Sequence, residues 1–312
     1  MLSQIMEIYE LLDDAMIDGI KVKEFLFNRG LDNVIVKRIG DSKKYTDFIK
    51  IIIPGSDGKF NNKTFPTLEV IGRLGGIGAR PYRIGLVSDA DGAIVALSVA
   101  LKLSDMKRKG DQLKGDVIIA THICPNAPII PHEPVPFMGS PVDMEVMNEN
   151  EVDKIADAIL SVDTTKGNKI IKWNGFAITP TVKEGWILKV SDDLLRIMEQ
   201  VTGKTPRVLP ITMQDITPYG NGISHINSIM QPSTATSAPV VGVAITSETV
   251  VPGSATGANR IIDMEEAGRF IIEVAKEFTS NNLKFYDVNE FKNLVNIYGS
   301  MIHLQKNGVK QK

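Results

Sequence analysis

The sequence predicts a three-layer α/β protein, in which helices cover both faces of a mixed, mostly parallel central sheet. Strand-like and helix-like segments alternate for most of the 312 residues, as expected when helices connect the strands of a parallel sheet. Hydrophobic residues make up 43% of the chain, which supplies a sizeable core. The segment 92–103 is apolar on nearly every side, which predicts a buried helix. No repeat or interdomain linker interrupts the chain, so we expect a single domain over residues 1–312.

The order of the elements follows from hydrophobic periodicity and from the glycines and prolines that interrupt it. Residues 2–28 have apolar residues at helical spacing, and Gly30 ends that helix. The later segments are strands at 33–39 and 47–53, a Gly/Pro-rich connection at 54–83, a strand into Asp89, the helix at 92–103, a strand at 116–122, a proline-rich loop, a helix at 150–160, a strand ending at Asp163, strand pairs near 176–190, a helix at 191–202, strands at 207–213 and 239–246, and a helix at 263–279.

Composition and charge narrow the classes of partner. The net charge is −2, from 35 basic and 37 acidic residues without a run of like charge, so nucleic acid and membrane surfaces are excluded as partners. We expect a small-molecule or peptide ligand and a homo-oligomer. The first residues are acidic throughout and fit no signal peptide, and no apolar stretch is long enough to cross a bilayer. One cysteine, Cys124, excludes an internal disulfide and fits a cytoplasmic location.

Polar side chains follow four successive predicted strands, at the places where open α/β sheets build their sites. They are Asp57, Asp89 with Asp91, His122 with Cys124, and Asp163. Carboxylates combined with an imidazole suit zinc, manganese or a similar divalent ion. The alternative is structural, because an aspartate after a strand is also a common turn former or helix cap. In that interpretation Asp89 caps the helix that starts near Gly92.

The stretch GLVSDADGAIVALSVALKLSDMKRKGDQLKGDVIIAT resembles the core of the co-catalytic zinc aminopeptidases of the tetrahedral or glutamyl aminopeptidase type. SVDTT and PGSDG resemble two further motifs of that family, in the right order. The resemblance implies a zinc-peptidase or phosphorylase-hydrolase-like fold and a divalent metal, zinc or manganese, with Asp57, Asp89 and Asp163 as ligands. The chain also resembles a small bacterial family of unassigned function that is related to these peptidases.

Several family positions are altered. The first metal histidine of the family falls at Gly55, and its glutamate pair, a general base and a ligand, falls at Cys124 and Pro125. The final histidine has no counterpart, and the inserted dimerisation domain is absent. The resemblance therefore implies the fold and the three aspartates, but no complete two-zinc peptidase.

Three residues remain as catalytic candidates. His122 and Cys124 are two residues apart on an extended segment, so their side chains share a face. They would jointly ligate one ion, or act as base and nucleophile; the alternative for Cys124 is a small buried hydrophobic residue. His225, in a glycine-rich loop, is a candidate oxyanion donor or a plain turn residue.

Four residues are candidates for substrate binding. Arg80 and Arg83, beside a glycine-rich stretch, suit an anionic group such as a carboxylate. His132 and Glu133, in the proline-rich loop, would place a basic or acidic group over the site.

Two functional hypotheses follow. The first is a divergent metal-dependent hydrolase of a small amide or peptide-like substrate, without the usual glutamate pair. The second is a noncatalytic peptidase-like protein that binds a small ligand or assembles through its sheet edges. A weaker alternative is a phosphatase in which Asp89 is the nucleophile and Asp91 the general acid, although Ala93 stands where that motif has Thr or Ser.

Overall fold

A computed structural model of the chain describes residues 1–41, 44–73, 75–80 and 85–308. The α-helices in these residues are α1 Leu2–Leu12, α2 Gly19–Asn28, α3 Asp91–Arg108, α4 Met144–Glu151, α5 Asp192–Thr202, α6 Ile261–Thr279 and α7 Val288–Tyr298. The strands are β1 Val34–Gly40, β2 Tyr45–Ile53, β3 Leu68–Gly72, β4 Val117–Ile123, β5 Ile129–Ile130, β6 Phe137–Met138, β7 Ala158–Thr164, β8 Gly175–Ile178, β9 Val182–Lys183, β10 Trp186–Ile187 and β11 Val240–Thr246. None of the helices in the described ranges combines the length and hydropathy needed to cross a membrane.

The central sheet has nine strands within the described residues, in the order β1-β2-β4-β3-β7-β11-β9-β10, with β8 also paired to β11. Strands β4, β3, β7 and β11 run parallel to one another, and the pairs that flank them are antiparallel. Strands β4, β7 and β11 are buried at every residue, as their continuous apolar runs predict for strands covered on both faces. The predicted α/β class with a mixed, mostly parallel sheet is confirmed, and its parallel strands lie at the centre.

Both faces of the sheet are covered. Helices α3 and α6 pack on one face against alternate strand residues such as Val70 and Leu160, and α1 packs against these two helices. The intervening residues, such as Ile71 and Ile159, face the opposite side, where they cluster with Ile216 and Ile229, and helix α4 contacts β2. This alternation follows from the two-residue period of a strand, and it gives the chain the predicted helix-sheet-helix layering.

Helix α3 is buried along almost its whole length, as its apolar sequence predicts. Its first turn lies directly against the sheet: a Cβ atom at Gly92 would lie 2.5 Å from the carbonyl oxygen of Arg73 and 2.7 Å from that of Val162. Glycine therefore permits the helix to begin beside the ends of β3 and β7. Because Asp89 lies two residues before α3, this close packing brings it to the same edge of the sheet.

The predicted strand into Asp89 is wrong. The backbone N–H groups of Ser88 and Asp89 donate to the carbonyl oxygens of Ala255 and Gly253, at 2.7 and 3.1 Å, and these acceptors belong to a loop. The strand next to β4 comes earlier, as β3, inside the predicted connection 54–83. Its five residues are too few to give a distinct periodicity.

Three other predicted elements differ from the structure. Residues 2–28 form two helices, because Asp18 caps the start of α2 by accepting a hydrogen bond from the N–H of Lys21 at 2.9 Å. The helix predicted at 150–160 ends near the start of that range, as α4. Residues 207–213 make an isolated bridge instead of a strand.

Candidate functional site

Asp89 and Asp163, called the acidic pair below, meet at the edge of the sheet where β3 and β7 end. Their exposed fractions are 4% and 1%. The segments that carry them are joined by a 3.1 Å hydrogen bond from Thr164 Oγ1 to the carbonyl oxygen of Ser88. Burial, and next the charge of Asp163, raise the pKa of Asp89 to about 8; burial raises the pKa of Asp163 to about 7. The structure thus brings two of the candidate metal ligands together.

The acidic pair is sparsely hydrogen-bonded for its burial. Asp163 Oδ2 accepts a 2.9 Å hydrogen bond from Ser228 Oγ, whereas its Oδ1 has no hydrogen-bond partner among the described residues. Asp89 accepts a longer bond, 3.3 Å, from the N–H of Met138. Because a buried carboxylate oxygen without a partner is costly, the acidic pair is a place where a proton or a cation is favoured.

Asp91, the first residue of α3, has a separate set of contacts. Its carboxylate pairs with Lys166 Nζ and accepts a 2.6 Å hydrogen bond from the amide of Asn259. Lys166 Nζ also donates to the carbonyl oxygen of Ala258 at 2.8 Å. The side chains of Asp91 and Lys166 are 0% and 1% exposed. Asp91 therefore has a cation of its own, which argues against its role as general acid in the phosphatase hypothesis.

A second buried ionic network joins β3, β4 and α4. Arg73 Nε pairs with Glu151 Oε2 at 3.0 Å, and both side chains are fully buried. Glu151 Oε1 contacts His122 Nδ1, and His122 Nε2 accepts a 2.9 Å hydrogen bond from the N–H of Gly75. A ring nitrogen that accepts carries no proton, so Nδ1 carries it and donates to Glu151. Burial opposes ionisation of Glu151, but Arg73 and His122 hold its pKa below the usual value.

The charges around the acidic pair do not balance. Four buried carboxylates and two buried cations meet at this edge: Asp89, Asp91, Asp163 and Glu151, with Arg73 and Lys166. When all six are ionised and His122 is neutral, they carry a formal charge of −2. An uncompensated charge is unfavourable in the low dielectric of an interior. Two protons or one divalent cation would neutralise it.

His122 lies near the end of β4 and Cys124 directly follows that strand, close to where the sequence predicts them, but their contacts are structural. Both ring nitrogens of His122 are engaged. Cys124 packs among apolar residues such as Ala79 and Val87, and burial raises the pKa of its thiol to about 12. No hydrogen bond joins the two side chains in the part of the chain that the structure describes. These contacts favour the alternative of Cys124 as a buried hydrophobic residue.

We expect Cys124 to react with a disulfide reagent such as DTNB only when the protein unfolds. With a pKa of about 12, roughly one thiol in 10,000 is ionised at pH 8, and burial keeps the reagent from the sulfur. The native protein should react at least about 100-fold more slowly than the protein in denaturing guanidinium chloride. Equal rates would contradict this burial and restore Cys124 as a candidate nucleophile.

Asp57 lies at the opposite edge of the sheet from the acidic pair, so the prediction that it joins them is wrong. Strand β2 runs antiparallel to β4, and Ile53 at its end pairs with Val117, the first residue of β4. At that edge Asp57 pairs with Lys63 at 2.7 Å and with Lys114 at 3.5 Å. The hydrogen bond from Lys63 is the main reason that its pKa is lowered to about 2. No group of three or more His, Cys, Asp or Glu side chains within the described residues is arranged to hold a metal ion.

The loop that contains His225 reaches the acidic pair through another residue. His225 Nε2 contacts the carbonyl oxygen of Thr217 at 3.0 Å, and its ring packs edge-on against Tyr219 with 4.3 Å between centroids. Ser228, three residues further on, is the side chain that contacts Asp163. The loop therefore contributes a hydroxyl group to the site.

The structure describes three of the four candidate substrate-binding residues, and none of the three is hydrogen-bonded to the acidic pair. His132 and Glu133 are exposed in the proline-rich loop. Arg80 Nη2 donates to the carbonyl oxygen of Asp14 at 3.0 Å. Arg83 lies outside the described residues. Their roles toward a substrate stay predictions.

Sequence reasoning missed five residues of this site: Arg73, Glu151, Lys166, Ser228 and Asn259. Arg73 comes directly after β3, and Lys166 comes two residues after β7. The aspartates were selected as candidates because they hold the same kind of position. That signal applies equally to basic residues, because a charge at such a place needs a partner. The other three lie in a helix or in loops without a local pattern.

Comparison with known families gives one match over most of the chain. A family model described as "Protein of unknown function (DUF1177)" matches residues 37–308. No curated protein matches the chain in sequence.

The fold is similar to that of solved aminopeptidase-type structures. The bottromycin maturation enzyme BotP in complex with Mn aligns with a TM-score of 0.55 and 13% identity, over 88% of this chain and 71% of that one. A cytosol aminopeptidase from Coxiella burnetii aligns at 0.54 and 13% identity, over 90% and 69%. A mutant of tomato leucine aminopeptidase aligns at 0.51 and 11% identity, over 87% of this chain and only 61% of that one. At these identities the likeness shows the fold alone.

Proposed function

The chain belongs to the DUF1177 family of proteins of unknown function, and we propose that it is a divergent hydrolase of a small amide or peptide-like substrate that uses a divalent cation held by Asp89 and Asp163. The observation that carries the proposal is that four buried carboxylates meet only two buried cations around the acidic pair, and that Asp163 Oδ1 lacks a hydrogen-bond partner in the described residues. The aminopeptidase-like fold supports the class of reaction. One structure of that fold is described as a complex with Mn.

The side chains present fit a hard cation such as Mn²⁺ or Mg²⁺ better than a pair of zinc ions. Mg²⁺ is commonly held by one or two carboxylates and completed by water, and Mn²⁺ prefers the same oxygen ligands. A zinc site takes three or four protein ligands, and no such group lies within the described residues. When bound, such a cation polarises a substrate carbonyl group and lowers the pKa of water. Asp89 and Asp163 would bind it, and Ser228 orients Asp163 through Oδ2.

We expect the chelator-treated protein to bind Mn²⁺ at one site per chain, and Asp163→Asn to weaken that binding at least about tenfold. The amide keeps the shape of the side chain but removes a charged ligand, and tenfold corresponds to about 1.4 kcal/mol. Isothermal titration calorimetry or the electron paramagnetic resonance signal of free Mn²⁺ measures the affinity. Asp57→Asn is the matched control, since it makes the same change at the opposite edge and should leave the affinity unchanged. Equal affinities for wild type and Asp163→Asn would refute the cation site.

Hydrolysis is tested on the Mn²⁺-loaded protein with a set of aminoacyl 4-nitroanilides and dipeptides. Turnover that is lost in Asp163→Asn and kept in Asp57→Asn supports the hydrolase. Loss in both variants, or activity in both, counts against an active site at the acidic pair.

A second candidate is a noncatalytic protein that keeps this fold to bind a small ligand. The observation in its favour is that His122 is engaged at both ring nitrogens and Cys124 is buried, so neither is free to take a proton. A general base contributes about 100-fold to 10,000-fold to a rate. Mn²⁺ binding without turnover of any substrate in the set would favour this second function.

A further inference from the structure

We propose that Asp91, Lys166 and Asn259 are positioning residues, which form a buried clamp that holds residues 251–259 closed over Asp89. Residues 251–259 are called the cover segment below. The inference rests on contacts within the chain, so it stands whether or not the acidic pair binds a cation.

The cover segment lies directly on the carboxylate of Asp89. A Cβ atom at Gly253 would lie 2.5 and 2.8 Å from the two carboxylate oxygens of Asp89. The N–H groups of Ser88 and Asp89 donate to the carbonyl oxygens of Ala255 and Gly253, at 2.7 and 3.1 Å. With the cover segment in this position Asp89 is only 4% exposed. A ligand that approaches Asp89 from this side has to displace these residues.

The clamp attaches the far end of the cover segment to the body of the protein. Lys166 Nζ donates to the carbonyl oxygen of Ala258 and pairs with Asp91. The amide of Asn259 donates to Asp91 at 2.6 Å and to the carbonyl oxygen of Val87 at 3.0 Å. The contacts of Asp91 with Lys166 and with Asn259 are buried, and the hydrogen bond from Lys166 to Ala258 is partly buried. Hydrogen bonds to charged groups are stronger in such surroundings. Three stretches of chain therefore meet at one ion pair.

Two of those three stretches also carry the acidic pair, and the third is the cover segment that lies on Asp89. Asp91 lies two residues after Asp89, and Lys166 lies three residues after Asp163. Lys166 contacts the cover segment by its backbone as well, since its carbonyl oxygen accepts the N–H of Val251 at 3.1 Å. The clamp consequently sets the position of Asp89 and of the cover segment relative to Asp163.

Backbone hydrogen exchange in the metal-free protein tests the clamp. The double variant Asp91→Asn with Lys166→Met removes both charges and leaves no unmatched one, and Asn259→Ala removes the amide alone. In each, we expect the amides of Ser88 and Asp89 to exchange at least about tenfold faster than in wild type. The amides of Ser56 and Asp57, which bond to carbonyl oxygens at the opposite edge, should keep their rates.

Two further variants serve as controls. Gly253→Ala places a Cβ atom 2.5 to 2.8 Å from the carboxylate of Asp89, and we expect the resulting shift of the cover segment to accelerate exchange of the same amides. Asp57→Asn with Lys63→Met removes an exposed ion pair at the opposite edge and should leave the amides of Ser88 and Asp89 unchanged.

The outcomes separate the clamp from the proposed function, because no cation and no substrate enter the experiment. Wild-type exchange at Ser88 and Asp89 in Asn259→Ala and in the folded double variant would overturn the proposal. If the double variant does not fold, Asn259→Ala decides alone, since it retains the ion pair. An increase that is equally large at Ser56 and Asp57 would indicate general loosening and would also overturn it.

Discussion

Replacing Glu151 with Leu is expected to destabilise the protein by about 3–5 kcal/mol, because the substitution removes the carboxylate that pairs directly with the buried guanidinium of Arg73. Both side chains are fully buried, so water does not replace the lost partner. The hydrogen bond to His122 Nδ1 disappears as well. Urea denaturation followed by circular dichroism measures the change in the free energy of unfolding.

Two further variants show that the effect comes from the unmatched charge. Glu149→Leu, on the same helix but exposed, should change the free energy of unfolding by no more than about 0.5 kcal/mol. Adding Arg73→Leu to Glu151→Leu should recover much of the loss, since a buried ion pair replaced by apolar residues is often neutral. A loss below about 1 kcal/mol in the single variant would show that Arg73 does not depend on Glu151.

In the absence of divalent cations at pH 9, Asp89→Asn is expected to be more stable than wild type by on the order of 5 kcal/mol. Burial and the charge of Asp163 raise the pKa of Asp89 from 3.8 to about 8. Between these values the folded protein retains a proton that the unfolded chain has released. The stability of wild type therefore falls as the pH rises from about 4 to about 8, whereas asparagine has no proton to lose. At pH 4 and below, the unfolding free energies of the two proteins should change with pH in the same way.

Unfolding free energies measured from pH 4 to pH 9 test this expectation. Asp57→Asn is the control of opposite sign, because the pKa of Asp57 is lowered to about 2. The stability that ionised Asp57 contributes is present above its ordinary pKa and is lost as the pH falls. That variant should not gain stability at pH 9. Curves for wild type and Asp89→Asn that run parallel over the whole range would contradict a raised pKa at Asp89.

The buried elements were predictable because their sequences carry a strong local pattern. Helix α3 and strands β4, β7 and β11 lie close to their predicted positions, since each is covered on all sides and reads as a continuous apolar run. Strand β3 and the division of residues 2–28 into two helices were missed. Five residues of strand give little periodicity, and a cap such as Asp18 is hard to distinguish from other surface aspartates.

The candidate site was predictable only in part. Asp89 and Asp163 meet as expected, although Asp89 does so through a loop and the start of α3 instead of a strand end. Asp57 does not join them, because a strand pattern carries no information on whether β2 runs parallel or antiparallel to β4. The role of His122 depends on Glu151, 29 residues away, and that partner has no sequence signal.

The α/β class, the buried strands and the chemical character of the groups at their ends follow from the sequence alone, because the polarity pattern is a local property of the chain. Which charges meet depends on how the folded chain packs. Arg73 with Glu151 and Asp91 with Lys166 are matched, and Asp89 with Asp163 is left in excess. Charge balance in a buried site is a sum over residues that are distant along the chain, so it exists only once the strands have paired and the loops have closed over them.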